Sequence, residues 1–140
     1  MRTRLDRLRH AVAFELIALA ILAPLGGSVF GVSMGHFGVV AAVSSAIAMA
    51  GNYVYNLGFD HVLLRLGMSL RKTVPIRILH AIGFEAMLLI VLVPFIAWYL
   101  GVGLAEALTM DVSLSLFYLV YAFVFNWGYD LVFPFQNGPA

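Results

Sequence analysis

Four long apolar runs, separated by short polar joints, account for most of the chain; they cover residues 11–32, 37–59, 78–100 and 112–133. Each is as long as the ~20 mostly apolar residues that a helix needs to cross a bilayer. Few positions break them. Glu15 interrupts the first run, His80 and Glu85 the third, and Asp130 stands near the end of the fourth, while the second carries no charge. The pattern predicts an all-α integral membrane protein with four transmembrane helices and leaves no room for a soluble domain.

Composition agrees with that pattern. Of 140 residues, 63% are hydrophobic and 11% charged, with a mean hydropathy of +0.99, whereas a soluble domain carries roughly a quarter charged residues. The net charge of +1 makes no case for a nucleic-acid partner; the lipid bilayer is the partner expected first. Without cysteine there is neither a disulfide nor a thiolate metal site to consider. An arginine-rich start before an apolar run, with Ala18-Leu19-Ala20 following, also describes a signal peptide. The third run repeats the first one's pattern deep inside the chain, so the first is read as a permanent helix.

The placement of charge predicts orientation. Arg2, Arg4, Arg7 and Arg9 precede the first run, and Arg65, Arg71, Lys72 and Arg77 lie between the second and third. The joints near 31–36 and 101–110 contain no Lys or Arg. By the positive-inside rule both termini and the 63–76 joint are expected in the cytoplasm. Trp98 and Tyr99 suit an interfacial belt on the far side, and Trp127 and Tyr129 one on the near side.

Shifted by 70 residues, the sequence matches itself. Arg7, His10, Ala11, Phe14 and Glu15 fall on Arg77, His80, Ala81, Phe84 and Glu85. Asn56, Gly58 and Asp60 fall on Asn126, Gly128 and Asp130, with aromatic exchanged for aromatic between them; Pro24 falls on Pro94 and Ser45 on Ser115. Apolar composition alone cannot align His, Glu, Asn and Asp at one offset. The chain therefore divides into two transmembrane helix pairs, 1–70 and 71–140. Because each copy has two spans, both insert the same way up, giving a parallel repeat of antiparallel pairs and, by default, a four-helix bundle.

Within this frame Glu15, Glu85, Asp60 and Asp130 are the carboxyls that matter, because acids in hydrocarbon face an interior or cavity and find partners. Glu15 lies ~8 Å inward of His10 along a helix, and Glu85 is its equivalent. Ser45, Asn52, Asn56 and Asp60 form one polar stripe on the second helix. The fourth helix keeps Ser115, Asn126 and Asp130 but has Ala122 in place of Asn52. A carboxylate at a helix C-terminus opposes the dipole, so Asp60 and Asp130 call for basic partners, and Arg7 and Arg77 are at that depth. His10 and His80 admit two readings, proton relay or interfacial hydrogen bonding. No HExxH, CxxCH or carboxylate cluster accompanies them, so no metal or other cofactor, and no enzyme, is expected. Tyr53, Tyr55, Phe59, Phe123, Phe125, Trp127 and Tyr129 line the same helix ends; they suit a lipid belt or, beside carboxyls, an organic cation. Ala42, Ala46 and Ala50 form a small-residue face for close helix contact, with a homodimer as one candidate.

At these motifs the chain resembles the proteobacterial antimicrobial compound efflux family of small multidrug transporters. The resemblance rests on Arg7, His10, Ala11, Phe14 and Glu15; on Asn52, Asn56, Phe59 and Asp60; on Arg77, His80, Ala81, Phe84 and Glu85; and on Phe125-Asn126-Trp127-Gly128-Tyr129-Asp130. One departure is Gly51, where the family usually has Trp before the first Asn. The resemblance implies export of cationic biocides and dyes, chlorhexidine- or acriflavine-like, and of short-chain diamines. It implies that the proton gradient drives export across a bacterial inner membrane, with the Glu15 position tied to coupling. The alternative of another class is a non-transporting membrane subunit that docks a partner through its polar stripes; such a protein has no use for two buried glutamates at repeat-related depths.

Overall fold

The computed structural model describes residues 4–69 and 73–133; Arg2, Arg71 and Lys72, which entered the orientation argument, lie outside the described residues. Four helices follow one another, α1 Arg4–Phe30, α2 Met34–Arg65, α3 Val74–Leu100 and α4 Leu104–Val132. All four are long and apolar enough to span a membrane. The repeat is visible in the boundaries themselves: α3 begins and ends 70 residues after α1, and α4 begins 70 after α2.

Local chemistry accounts for the ends. Thr73 is extended (φ −66°, ψ 166°) and Pro75 occupies the first turn of α3, where a missing N–H is harmless. Gly101 takes the left-handed conformation, φ 66°, and its N–H and that of Val102 both return to the Ala97 carbonyl. Gly31 closes α1 with the same φ of 66°. The helices extend past the apolar runs because backbone hydrogen bonding does not stop where the side chains turn polar. As a result α4 starts at Leu104 rather than near 112, and Asp111 is inside it.

No more than 22% of the apolar window of any helix is buried by protein. Leu16, Ile90, Leu119 and Val120 are among many large apolar side chains left facing outward, which fits lipid as the solvent.

The chain packs as two units. Unit 1 joins α1, the start of α2 as far as Ala42, and α4 from Val112; unit 2 runs from Val43 to Asp111. Inside unit 1 the buried residues include Ala18, Leu22, Phe37, Val40, Ala41 and Leu114; inside unit 2 they include Leu88, Leu92, Ala107, Met110, Asp111 and Ser44. These are the same positions at the repeat offset. Where lipid supplies no hydrophobic drive between helices, close approach and shape decide packing. In unit 1 Gly26 admits the Phe37 ring, which occupies the space a Cβ at Gly26 would take. The counterparts in unit 2 are Ile96 and Ala107, both fully buried, with the large and small partners exchanged.

Candidate functional site

Each unit contains a histidine held by an asparagine and flanked by aromatic rings. In unit 1 the His10 Nε2–H donates to Asn126 Oδ1 at 2.8 Å. The ring lies edge-on to Phe125 and Tyr129, with centroids 5.2 and 4.6 Å away. In unit 2 the His80 Nε2–H donates to Asn56 Oδ1 at 2.9 Å, edge-on to Tyr55 and Phe59 at 5.0 and 4.8 Å. Edge-to-face contact suits the aromatic quadrupole, and the asparagine acceptor selects the tautomer that carries its proton on Nε2. Asn56 also donates to Asn52 Oδ1 at 2.8 Å, which extends the polar stripe along α2. Ala122 cannot extend it in α4.

The rest of the surroundings differ. Tyr129 is buried, and its hydroxyl donates to Asp6 at 2.9 Å while accepting from Arg9 at 2.9 Å. Arg9 is also paired with Asp6 and lies over the Phe133 ring, 3.8 Å from its centroid. The repeat counterparts of Asp6, Arg9 and Tyr129 are Ile76, Leu79 and Phe59, so unit 2 has no such cluster. In unit 2 the hydroxyl sits instead on Tyr55, directly over Gly83, where a Cβ would collide with it. The corresponding pair in unit 1 is Phe125 and Ala13: without the hydroxyl, a methyl is tolerated.

Glu15 and Glu85 are both half-buried. Next to Glu15 in sequence, Phe14 meets Tyr121 at 4.9 Å and Tyr118 at 6.2 Å, and the Tyr121 hydroxyl donates to the Phe14 carbonyl at 2.8 Å. Phe117 stacks on Tyr121 at 5.4 Å and also lines an apolar cavity of about 130 Å³ with Leu22, Leu25, Gly26, Val29, Phe30, Phe37, Ser113 and Leu114. An aromatic wall thus runs from beside Glu15 to an open pocket. At the position equivalent to Tyr121, unit 2 has Gly51, where the space is taken by Met87, whose Cε is 2.9 Å from where a Cβ would stand. The missing aromatic residue leaves a methionine-filled contact rather than a gap.

Asp60 is half-buried, whereas Asp130, Arg7 and Arg77 are exposed, as is Trp127 at 64%. Among the described residues no group of three or more His, Cys, Asp or Glu is placed to hold a metal. The apolar pattern singles out neither Asp6 nor Asp111, and Asp111 is 2% exposed. It sits just ahead of the fourth apolar run and has no acidic counterpart, its repeat equivalent being Ala41. A helix start at Leu104 was the signal needed to place it inside the span.

Four membrane-spanning helices with carboxyls and ring-flanked histidines set into them make a multi-pass membrane protein of the solute-carrying class. Comparison with known proteins makes this specific. The family profile described as BTP, chlorhexidine efflux transporter, matches residues 2–65 and again 72–135, and the chain belongs to that family. It is 37% identical over 133 residues to a protein of Vibrio parahaemolyticus named short-chain diamines transporter, covering 95% of this chain and 94% of the relative. A protein of the same name from Acinetobacter baumannii is 37% identical over 124 residues, 89% of this chain and 85% of its own length. Another from Acinetobacter baylyi is 37% identical over 131 residues, 90% and 88% respectively. No solved structure matches the chain.

Proposed function

We propose that the protein exports small organic cations from the cytoplasm across the bacterial inner membrane in exchange for protons, with short-chain diamines and chlorhexidine-like biguanides as the substrate class. The names of the relatives and of the family support the substrate class. Glu15 is the residue shared by proton and substrate, and Glu85 supports it. The two sequence halves, 1–70 and 71–140, are the units of membrane insertion, and the basic residues keep both termini on the cytoplasmic side.

The observation that carries this reading is the position of Glu15, half-buried in a membrane-spanning helix beside Phe14, Tyr118 and Tyr121. A carboxyl inside the membrane is neutralised either by a proton or by a cation, and the two forms exclude one another. That exclusion is the minimum requirement for antiport when the site alternates in access. Aromatic faces add cation–π attraction for an ammonium or guanidinium group, and the apolar cavity beyond Phe117 suits a substrate's hydrocarbon body. Pro24 interrupts the backbone ladder of α1 between the site and its far end, a place where the helix bends at low cost. Asp60 and Asp130 pair with arginines near the helix ends and support folding more than turnover. His10 and His80 position the aromatic rings around them. The Ala42, Ala46 and Ala50 face serves helix contact in a homodimer.

The test is transport by reconstituted vesicles with an imposed pH gradient and a radiolabelled short-chain diamine. Gradient-driven diamine movement with matching proton counterflow is the expected result. Diamine movement that ignores the gradient would remove proton coupling while leaving efflux in place.

A further inference from the structure

Among the buried side-chain oxygens of unit 2 that make no hydrogen bond are Asp111 Oδ2 and Ser44 Oγ. Asp111 is 2% exposed and Ser44 5%. Glu85, a second acid, belongs to the same unit. No Lys or Arg occurs anywhere after Arg77; on α3 the basic side chain beyond the first turn is His80, whose Nε2–H donates to Asn56. Helix rise places the three groups in order from the end where α3 turns into α4. Asp111 lies about 10 Å from the start of α4, Ser44 about 15 Å from the start of α2, and Glu85 about 22 Å from the end of α3.

An ionised carboxylate at Asp111 would be shielded from water with Oδ2 unpaired. Burying a charge without a partner is costly, and a carboxyl so placed is better accommodated as the neutral acid. The repeat shows that packing does not demand an acid here, since Ala41 fills the equivalent buried position in unit 1.

We propose that Asp111 is a proton-carrying carboxyl which, with the Ser44 hydroxyl, extends the Glu85 site of unit 2 toward the α3–α4 turn and gives this unit a proton route from that end that unit 1 lacks. This rests on Glu85 taking part in proton traffic. The proton is taken up by an Asp111 carboxylate oxygen from the turn side; its O–H bond breaks as the proton passes by way of the Ser44 hydroxyl to Glu85, which returns Asp111 to its anion until the next uptake.

The experiment is infrared spectroscopy of the full-length protein in vesicles at neutral pH, with aspartate side-chain carboxyls carbon-13 labelled. A protonated-carboxyl C=O band that shifts with the aspartate label is expected, lost in Asp111→Asn and retained in Glu15→Gln. In Asp111→Glu the band should move from the aspartate-labelled to the glutamate-labelled sample, a check that survives if Asp111→Asn does not fold. Absence of the band in the unmodified protein, or its persistence in Asp111→Asn, would overturn the proposal. Ser44→Ala should slow hydrogen–deuterium exchange of the band; unchanged exchange would remove Ser44 from the route. None of these readouts depends on diamine transport, so a failure of proton-coupled export and a failure of the Asp111 site are separable.

Discussion

Units 1 and 2 present a histidine to an asparagine with nearly the same geometry, 2.8 and 2.9 Å, and yet they differ in the groups set around that pair and at the far end. Unit 1 has Asp6, Arg9 and Tyr129 tied together near the start of α1 and Ala41 buried toward the other end. Unit 2 has apolar residues at the first place and Asp111 at the second. Tandem duplication preserves what the helices need to pack and to hold the histidine. Divergence lies in the Asp6–Arg9–Tyr129 cluster that unit 1 has alone and in the buried acid that unit 2 has alone. A carrier that exchanges two cations across a membrane benefits from such inequality, because two identical carboxyl sites would give both cations the same access.

The comparison can be tested by moving residues from one unit into the other. The largest effect is expected at Gly26. Gly26→Ile copies unit 2 into unit 1 and drives a side chain into the Phe37 ring, so it should destabilise the fold by about 3 kcal/mol or prevent insertion. Adding Phe37→Ala, the other half of the unit 2 pair, should recover much of the loss. Thermal unfolding in detergent gives the coupling as a double-mutant cycle; simple additivity would mean that the exchanged sizes are coincidental.

A smaller change is expected from Gly83→Ala, which copies Ala13 beneath a tyrosine hydroxyl. It should cost about 1–2 kcal/mol by overpacking, and Tyr55→Phe should relieve it because Phe125 above Ala13 has no hydroxyl. The smallest effect is expected from Tyr129→Phe. It removes the hydroxyl that joins Asp6 to Arg9 at a buried position and should lower stability by about 1 kcal/mol, whereas Phe59→Tyr in unit 2 gains no partner from Ile76 or Leu79 and should not raise it. Equal and opposite changes at the two positions would show that the hydroxyl, rather than its charged neighbours, matters.

Much of this is legible in the sequence. Apolar length marked four spans, and one offset aligned His10 with His80 and Asn56 with Asn126. The offset did not say which asparagine each histidine meets. Each histidine bonds the asparagine of the other copy, a choice made by helix packing that no single-helix periodicity encodes. Gly51 was visible as a departure, but its consequence depends on Met87 turning into the space, which is a tertiary event. Asp111 is hidden for a simpler reason. An uncharged run ends at a charge, and so the apolar pattern puts its boundary where the acid stands.

The proposed exchange site rests on the inequality of Glu15 and Glu85, which the repeat places at equivalent positions. The direct measurement is proton release driven by a short-chain diamine from reconstituted vesicles of the unmodified protein, Glu15→Gln and Glu85→Gln. Glutamine keeps size and hydrogen bonding while abolishing titration. Glu15→Gln should fold and lose coupled proton release entirely, and Glu85→Gln should retain it at a reduced rate. Wild-type release from Glu15→Gln, or equal losses in the two variants, would contradict the assignment of the exchange site to unit 1.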